Sequence, residues 1–535
     1  MRAAESVSFL VARARRSWAD MLGVVAAVVY GLPSLGYPFG IDHPIHWYLG
    51  RRLLDGEMPY VSGVSTKPPG VFVVHAISLL LFGDHTWSIR IVDLGFVVAT
   101  GAIIATFRAR RSMPDGSIAS APPRRPGELG AAALAVSVLY YTYWGFSDTA
   151  HPELWQGFFM LVSGWVIVRA PDGRVSLKRA FAAGAIACVA VTFKHVAALT
   201  GVLGGMAVVL LAILRRDVRG ALRSAASYTA GVALVLALVI APFWLTGTLD
   251  AFWTFMVDFI LDYADGAGAR RAGWPRWLKP EYGLYAVVAC TFAVMVGLAV
   301  VSALKNRRER AVGGWIFLLV IGAMGSVFIQ KRVFNQWGFS YHFIAAFPVL
   351  ALALVWALRC VFPRRVLARY AVVGLLGAAA FLHGPTWNYN TDWSYRLEWP
   401  SFWAYVRGEQ SSDEYHHNHK NGRFGDPVRL SRIAAFINVR AREGDTLCVD
   451  GFIAHLYQQT GMRCPSRFLI GDGVGRNQEW IAEYREMLEE TPPTFFVTFP
   501  DRARPNQLAR SGYTRHDVTA NGETYAVMIR RPEEE

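Results

Sequence analysis

Long apolar runs separated by short basic segments constrain this chain more than any other feature. A bilayer-crossing helix needs about 20 apolar residues. Runs near that length recur at Asp20–Gly36, Ser88–Phe107, Gly130–Gly145, Leu154–Val168, Ala180–Phe193, Val196–Leu214, Ser224–Trp244, Tyr282–Leu304, Gly314–Ile329, Tyr341–Leu358 and Tyr370–His383. The expected fold is therefore an all-α polytopic membrane domain of about eleven spans. Met21–Leu35 has no clear small-residue cleavage site after it, so it reads as a first span rather than a signal peptide. Composition agrees. Of 535 residues, 18% are charged, against roughly a quarter in a soluble domain. The 18 Trp and 32 Phe suit membrane interfaces.

Val71–Phe82 is apolar but too short for an ordinary span. Counting it as one would invert every later loop. The positive-inside rule decides. With Val71–Phe82 lying at the outer interface, the five arginines of Arg108–Arg125 fall inside, as do the basic segments Arg169–Arg179, Arg215–Arg223, Lys305–Arg310 and Arg359–Arg369. The N-terminus is then cytoplasmic. Tyr37–Trp87, Leu245–Glu281 and the region from Trp387 onward lie outside. Short outer turns fall at Phe146–Glu153, Lys194–His195 and Gln330–Ser340.

The net charge of +14 is explained by these inner loops. There is no zinc-finger spacing and no basic helix with interleaved aromatics, so no nucleic-acid partner is expected. Cys188, Cys290 and Cys360 sit in or beside apolar runs. Cys448 and Cys464 lie in the polar C-terminal region, and outside the cytoplasm they are candidates for a disulfide. Two free thiols are the alternative.

Residues 1–386 thus form a membrane domain and residues 387–535 a small extracytoplasmic (periplasmic) α/β domain. In the latter, Thr446–Asp450, Thr494–Phe499 and Thr524–Ile529 read as short strands and Gln478–Glu489 as a helix. The His-rich stretch Asp413–Lys420 reads as a solvated loop, with metal binding as its alternative.

The first outer segment concentrates the chemistry. Asp42-His43 lies just beyond the first span. It is followed by Glu57-Met58-Pro59-Tyr60, Lys67-Pro68-Pro69, Leu81-Phe82-Gly83 and Arg90. Two prolines suit the first turn of a helix and would hold Lys67 near the headgroup plane. Farther on, Glu153 opens the fourth span, Phe193-Lys194 closes the fifth, and Tyr341-His342 leads into Pro348. This pattern, over roughly residues 20–358, resembles the GT-C glycosyltransferases, in the branch of the lipid A aminoarabinose transferases and protein O-mannosyltransferases. One departure stands out: family members often carry Asp-Glu after the first span, and here the second position is His43.

The resemblance implies a sugar carried on a polyprenyl phosphate and an acceptor hydroxyl that displaces it. A carboxylate can take the hydroxyl proton, and Asp42 is the candidate; its alternative is a loop or cap residue. A departing phosphate needs charge compensation. Lys67, Lys194, Arg332, His342, Arg90 and Arg270 are candidates. Lys67 could instead snorkel to headgroups, and Arg332 could sit at a helix boundary. Lys194 interrupts two apolar runs, a costly place for a charge. His43, Tyr60, His151 and Glu153 are candidates for acceptor or sugar contacts. Asp148, His151 and Glu153 could equally be a cap and two exposed polar residues, and Tyr60 and Trp47 members of an aromatic belt.

No Walker loop, HExxH or Asp-x-Asp motif is present. No cofactor is called for, and a divalent metal has no supporting motif. The expectation is a multi-pass inner-membrane, inverting glycosyltransferase that moves a hexosyl or pentosyl group from a polyprenyl-phosphate donor to a glycan, lipid or protein on the extracytoplasmic face. A transporter or lipid flippase for envelope precursors is the alternative; it would place charges deep in several spans and break helices in paired halves. A non-catalytic scaffold would leave the Lys-Pro-Pro segment unexplained.

Overall fold

A computed structural model of the chain describes residues 18–107, 111–112, 118–119, 127–170, 174–259, 297, 307–333, 340–362, 371–372, 374–375, 395–419, 426–471, 477–499, 512–520 and 522–531. The expected spans Tyr282–Leu304 and Tyr370–His383 fall wholly or mostly outside these residues.

The helices follow the apolar runs. We name them α1 (Trp18–Gly36, ending in a 3₁₀ turn), α2 (His43–Leu54), α3 (Gly70–Phe82), α4 (Thr86–Thr106), α5 (Glu128–Tyr143), α6 (Pro152–Val168), α7 (Leu177–Val191), α8 (Ala198–Ile213), α9 (Val218–Leu245), α10 (Arg307–Val333) and α11 (Phe347–Val361). Among the described residues, five helices are long and apolar enough to cross a membrane: α1, α4, α8 with its preceding 3₁₀ turn, α9 and most of α10. The protein is a multi-pass membrane protein. Polar residues open its helices: Ser176 accepts from the Arg179 amide at the start of α7, and Asp217 from the Gly220 amide at the start of α9.

α3 has 13 residues, about 20 Å of helix against a hydrocarbon core of about 30 Å. Val73, Ile77, Leu80 and Leu81 on it are exposed, while Val71, Phe72, His75 and Leu79 are buried. It packs against α2 and α4. One difference from the expected spans concerns Tyr341–Leu358. Residues Ser340–Ala345 form a 3₁₀ turn, and the α-helix starts only at Phe347. Pro348 in the first turn explains the restart, since a proline ring is tolerated there and not inside a helix.

The C-terminal residues are mixed. After α12 (Tyr395–Val406), α13 (Ser412–His417) and α14 (Pro427–Asn438) come β1 (Leu447–Val449), α15 (His455–Thr460), α16 (Gln478–Glu490), β2 (Phe495–Thr498), β3 (Tyr513–Ala520) and β4 (Glu523–Arg530). β1 and β2 pair in parallel, Leu447 beside Phe495, across a helical crossover. β4 pairs antiparallel with both β2 and β3, giving the order β1-β2-β4-β3. The expected strands and the α16 helix fall where the pattern put them; β3, whose sequence YTRHDVTA is largely polar, gave no apolar signal. The Asp413–Lys420 stretch is not a solvated loop over its described part. Ser411 and Glu414 form a capping box for α13. His419 is fully buried, its Nε2 2.9 Å from Glu398 Oε2. The described residues contain no group of His, Cys, Asp or Glu arranged to hold a metal.

This C-terminal region rests on the segment of residues 37–87 that follows α1. His455 Nε2 lies 3.1 Å from the Phe39 carbonyl, the Val64 amide donates to the Arg467 carbonyl at 2.7 Å, and Arg463 pairs with Glu57 at 2.9 Å. One apolar cluster runs through Tyr48 and Leu49 into Tyr457 and Leu469.

Candidate active site

Three segment ends meet where α2, α6 and the α7–α8 break converge. His151 is the N-cap of α6, Pro152 fills the first helical position, and Glu153 sits in the first turn. There the helix N-terminus favours a carboxylate. Glu153 is fully buried. Its Oε1 accepts from Lys194 Nζ and lies 3.5 Å from Lys67 Nζ, while its Oε2 lies 3.1 Å from His151 Nδ1. One buried carboxylate therefore holds two lysines that are distant in sequence. Burial pushes the Glu153 carboxyl up, but Lys194 and Lys67 outweigh it and hold the group well below the usual range. Burial lowers Lys194 to about 7 despite the opposing pull of Glu153.

Local backbone explains each placement. Lys194 is extended, with φ −162°, between the end of α7 and the 3₁₀ turn that opens α8. It is thus a kink residue at a helix end rather than a charge inside a span. Lys67 is held by Tyr60, whose hydroxyl donates to the Lys67 carbonyl at 2.8 Å. Tyr60 has φ 71°, in the left-handed region, and is completely buried among Phe72, Phe243, Phe252 and Phe255. Its ring packs in the core, and its hydroxyl braces a site residue.

Two glycines permit the close approach. A Cβ on Gly70 would strike Thr192 Oγ1 and stand 2.7 Å from the Thr192 carbonyl, which accepts from the Gly70 amide at 3.0 Å. This contact brings the start of α3, three residues after Lys67, against the end of α7, two residues before Lys194. A Cβ on Gly157 would strike the Ala345 carbonyl and stand 2.8 Å from Pro348 Cδ. That lets the Ser340–Ala345 turn lie on α6. Tyr341 then reaches the site: its ring centroid is 5.5 Å from both lysine Nζ atoms and 4.6 Å from the His151 ring. His342 follows, buried, its Nε2 3.0 Å from Gln330 Nε2.

Asp42 occupies the N-cap position of α2, yet its side chain makes no cap hydrogen bond. It is partly exposed and acts electrostatically on Lys194. Next to it, His43 Nδ1 accepts from the Gly40 amide at 2.8 Å. This assigns the ring proton to Nε2, which has no hydrogen-bond partner and is buried. Sequence reasoning missed two further histidines here. His46 lies 6.4 Å from His151 and 5.6 Å from His75, ring to ring. The i, i+3 spacing of His43 and His46 on α2 was the available signal; His75 on α3 had none. Burial keeps all three neutral, His75 down to about 3.

The remaining candidates sit elsewhere. Arg90 is fully buried and spends its donors on protein oxygens: Nη1 on the Thr149 carbonyl and hydroxyl, Nη2 on the carbonyls of Pro38 and Phe146. It ties the segment before Asp42 to the segment before Glu153. Trp47 donates to Asp84 at 2.9 Å. Asp148 is buried, 3.2 Å from the Ser147 hydroxyl. Arg270 and the side chain of Arg332 lie outside the described residues. Cys448 and Cys464 bring their sulfurs to 3.5 Å, unbonded.

The protein is a bundle of apolar helices with one short apolar helix, a lysine-paired buried carboxylate and a mixed α/β C-terminal region. Two solved structures share this fold. ArnT from Cupriavidus metallidurans bound to undecaprenyl phosphate aligns over 97% of this chain and 99% of its own, with TM-score 0.59 and 15% identity. The apo form of the same protein gives 0.58 and 16%, over 96% and 99%. The oligosaccharyltransferase of Archaeoglobus fulgidus aligns over 94% of this chain and 72% of its own, with TM-score 0.40 and 11% identity. No family model and no curated protein sequence matches the chain.

Proposed function

We propose that the protein is an inverting membrane glycosyltransferase that moves a sugar from a polyprenyl-phosphate donor to an acceptor hydroxyl on the extracytoplasmic face. The observation that carries this reading is the Lys67–Glu153–Lys194 arrangement beside Asp42. Glu153 balances two buried lysines, which unpaired would be costly. An arriving phosphate can take over the lysines. The fold match to ArnT, whose structure holds undecaprenyl phosphate, supports a donor of that class.

The proposed step follows from the groups present. Asp42 carboxylate takes the proton from the acceptor hydroxyl as its oxygen attacks the anomeric carbon. The bond from that carbon to the phosphate oxygen breaks, and the electron pair leaves on the polyprenyl phosphate. Lys67 and Lys194 balance the added negative charge. A single displacement inverts the anomeric centre. His43 offers its unpartnered Nε2–H to a sugar hydroxyl, and Tyr341 gives the sugar an aromatic wall. The N-terminus is cytoplasmic in this scheme, about eleven spans precede residue 387, and residues 387–535 cover the acceptor side.

The test is sugar transfer by purified protein supplied with polyprenyl-phosphate sugars. Asp42→Asn should lose transfer by at least about a hundredfold while still binding polyprenyl phosphate. Wild-type turnover by the Asn variant would overturn the mechanism.

A further inference from the structure

The mechanism makes no use of Cys448 and Cys464. Cys448 is buried in β1, and Cys464 follows sixteen positions later on the segment after α15. Their sulfurs are 3.5 Å apart, against about 2.05 Å in a disulfide. The backbones that carry them already run side by side: Thr446 and Arg463 form a parallel bridge, and the Leu447 amide donates to the Arg463 carbonyl at 2.9 Å. Strand-like spacing of this kind leaves side-chain rotation as the main movement needed to join the sulfurs.

Residues 463–467 also grip the first outer segment. Arg463 pairs with Glu57 and, at 3.6 Å, with Asp55. The Cys464 amide donates to the Tyr48 hydroxyl at 3.1 Å, and the Val64 amide to the Arg467 carbonyl at 2.7 Å. Between the two segments lies a cavity of about 430 Å³, bordered by Cys464, Arg463 and Ser466 on one side and Glu57, Met58 and Ser62 on the other. It gives a reagent a route to Cys464, with Cys448 behind it.

We infer that Cys448 and Cys464 are a redox-active pair whose disulfide staples residues 463–467 to β1 and so positions the first outer segment that carries Lys67. The inference rests on the proposed topology, which puts the pair in an oxidising compartment. Its chemistry is thiol–disulfide exchange with an oxidant that itself carries a disulfide, such as oxidised glutathione. Cys464 thiolate attacks one oxidant sulfur and releases the other as a thiol. Cys448 then attacks the Cys464 sulfur and releases the second. Two cysteine thiols are oxidised, one oxidant disulfide is reduced to two thiols, and the two protons pass to those thiols. The two groups are suited to these roles. Burial raises Cys464, but hydrogen bonds from Cys448, Tyr457 and the Ser466 backbone outweigh it and lower it, whereas burial raises Cys448.

The full-length protein tests this in two measurements. Treated with oxidised glutathione, denatured and alkylated, it should show three of its five cysteines reactive at once. The other two should react only after reduction, with peptides containing Cys448 and Cys464 joined. Five immediately reactive thiols would overturn the pairing. Hydrogen exchange over residues 55–64 should then speed by about tenfold on reduction or in Cys464→Ser, with Cys360→Ser matching wild type. Equal exchange in both redox states would overturn the positioning role. Sugar transfer on the same sample separates the two readings: five free thiols in an active enzyme defeats the staple alone, and a stapled protein without transfer defeats the proposed reaction alone.

Discussion

Lys194 is a residue whose chemistry depends on where it is buried. Its ammonium is lowered to about 7 by burial, with Glu153 opposing that shift. In the proposed reaction the protonated form is the one that would hold the donor phosphate. Below pH 7 it is present; as the pH rises through 7 it is lost. Donor affinity should therefore fall above about pH 7, by up to roughly tenfold per unit, measured as Kd or KM for the donor. Lys194→Arg should flatten that slope, because a guanidinium stays charged; an unchanged slope in the Arg variant would assign it to another group. Arg90 makes a different prediction. Its donors fork to two segments at once, so Arg90→Lys should cost on the order of 3 kcal/mol of stability, read in thermal or denaturant melts. The cost should be the same with and without donor lipid, whereas a phosphate ligand would lose more in its presence.

At the scale of elements, α3 joins sequence to site. Its short length and the arginines downstream make an interfacial helix the expectation; the helix runs for 13 residues with a half-exposed apolar face. Its docking was not legible. Gly70 meets Thr192 at backbone distance, a contact between residues more than a hundred positions apart. Gly70→Ala should push the start of α3 off the end of α7 and separate Lys67 from Lys194. The expected result is donor affinity reduced by about tenfold or more with transfer chemistry otherwise retained, seen as a raised KM at near-normal kcat. A KM unchanged by the extra methyl would show that this contact does not set the lysine spacing. The Ser340–Ala345 turn teaches the same lesson. Read as part of a span, it instead breaks at Pro348 and carries Tyr341 to the lysines.

At the scale of the molecule, the proposed site exists only if its segments share one side of the membrane. Single cysteines at Ser117 and Ser412, in a background without other reactive thiols, should label from opposite faces of sealed vesicles. Same-side labelling would overturn the span count and with it the grouping of Asp42, Lys67, Glu153 and Lys194. The sequence by itself determined the membrane class, the sites of most helices, the strands β1, β2 and β4, and the identity of the residues around Glu153. It could do so because apolar length, period-2 runs and positive charge are local quantities, summed over neighbours in the chain. Only the tertiary structure decided that one buried carboxylate holds both lysines, that Asp42 leaves its helix uncapped, that Tyr60 and Arg90 brace neighbouring backbone, and that three neutral histidines gather beside them. Those are properties of segments brought together by close packing and desolvation, and no local pattern records which distant backbone a glycine will let approach.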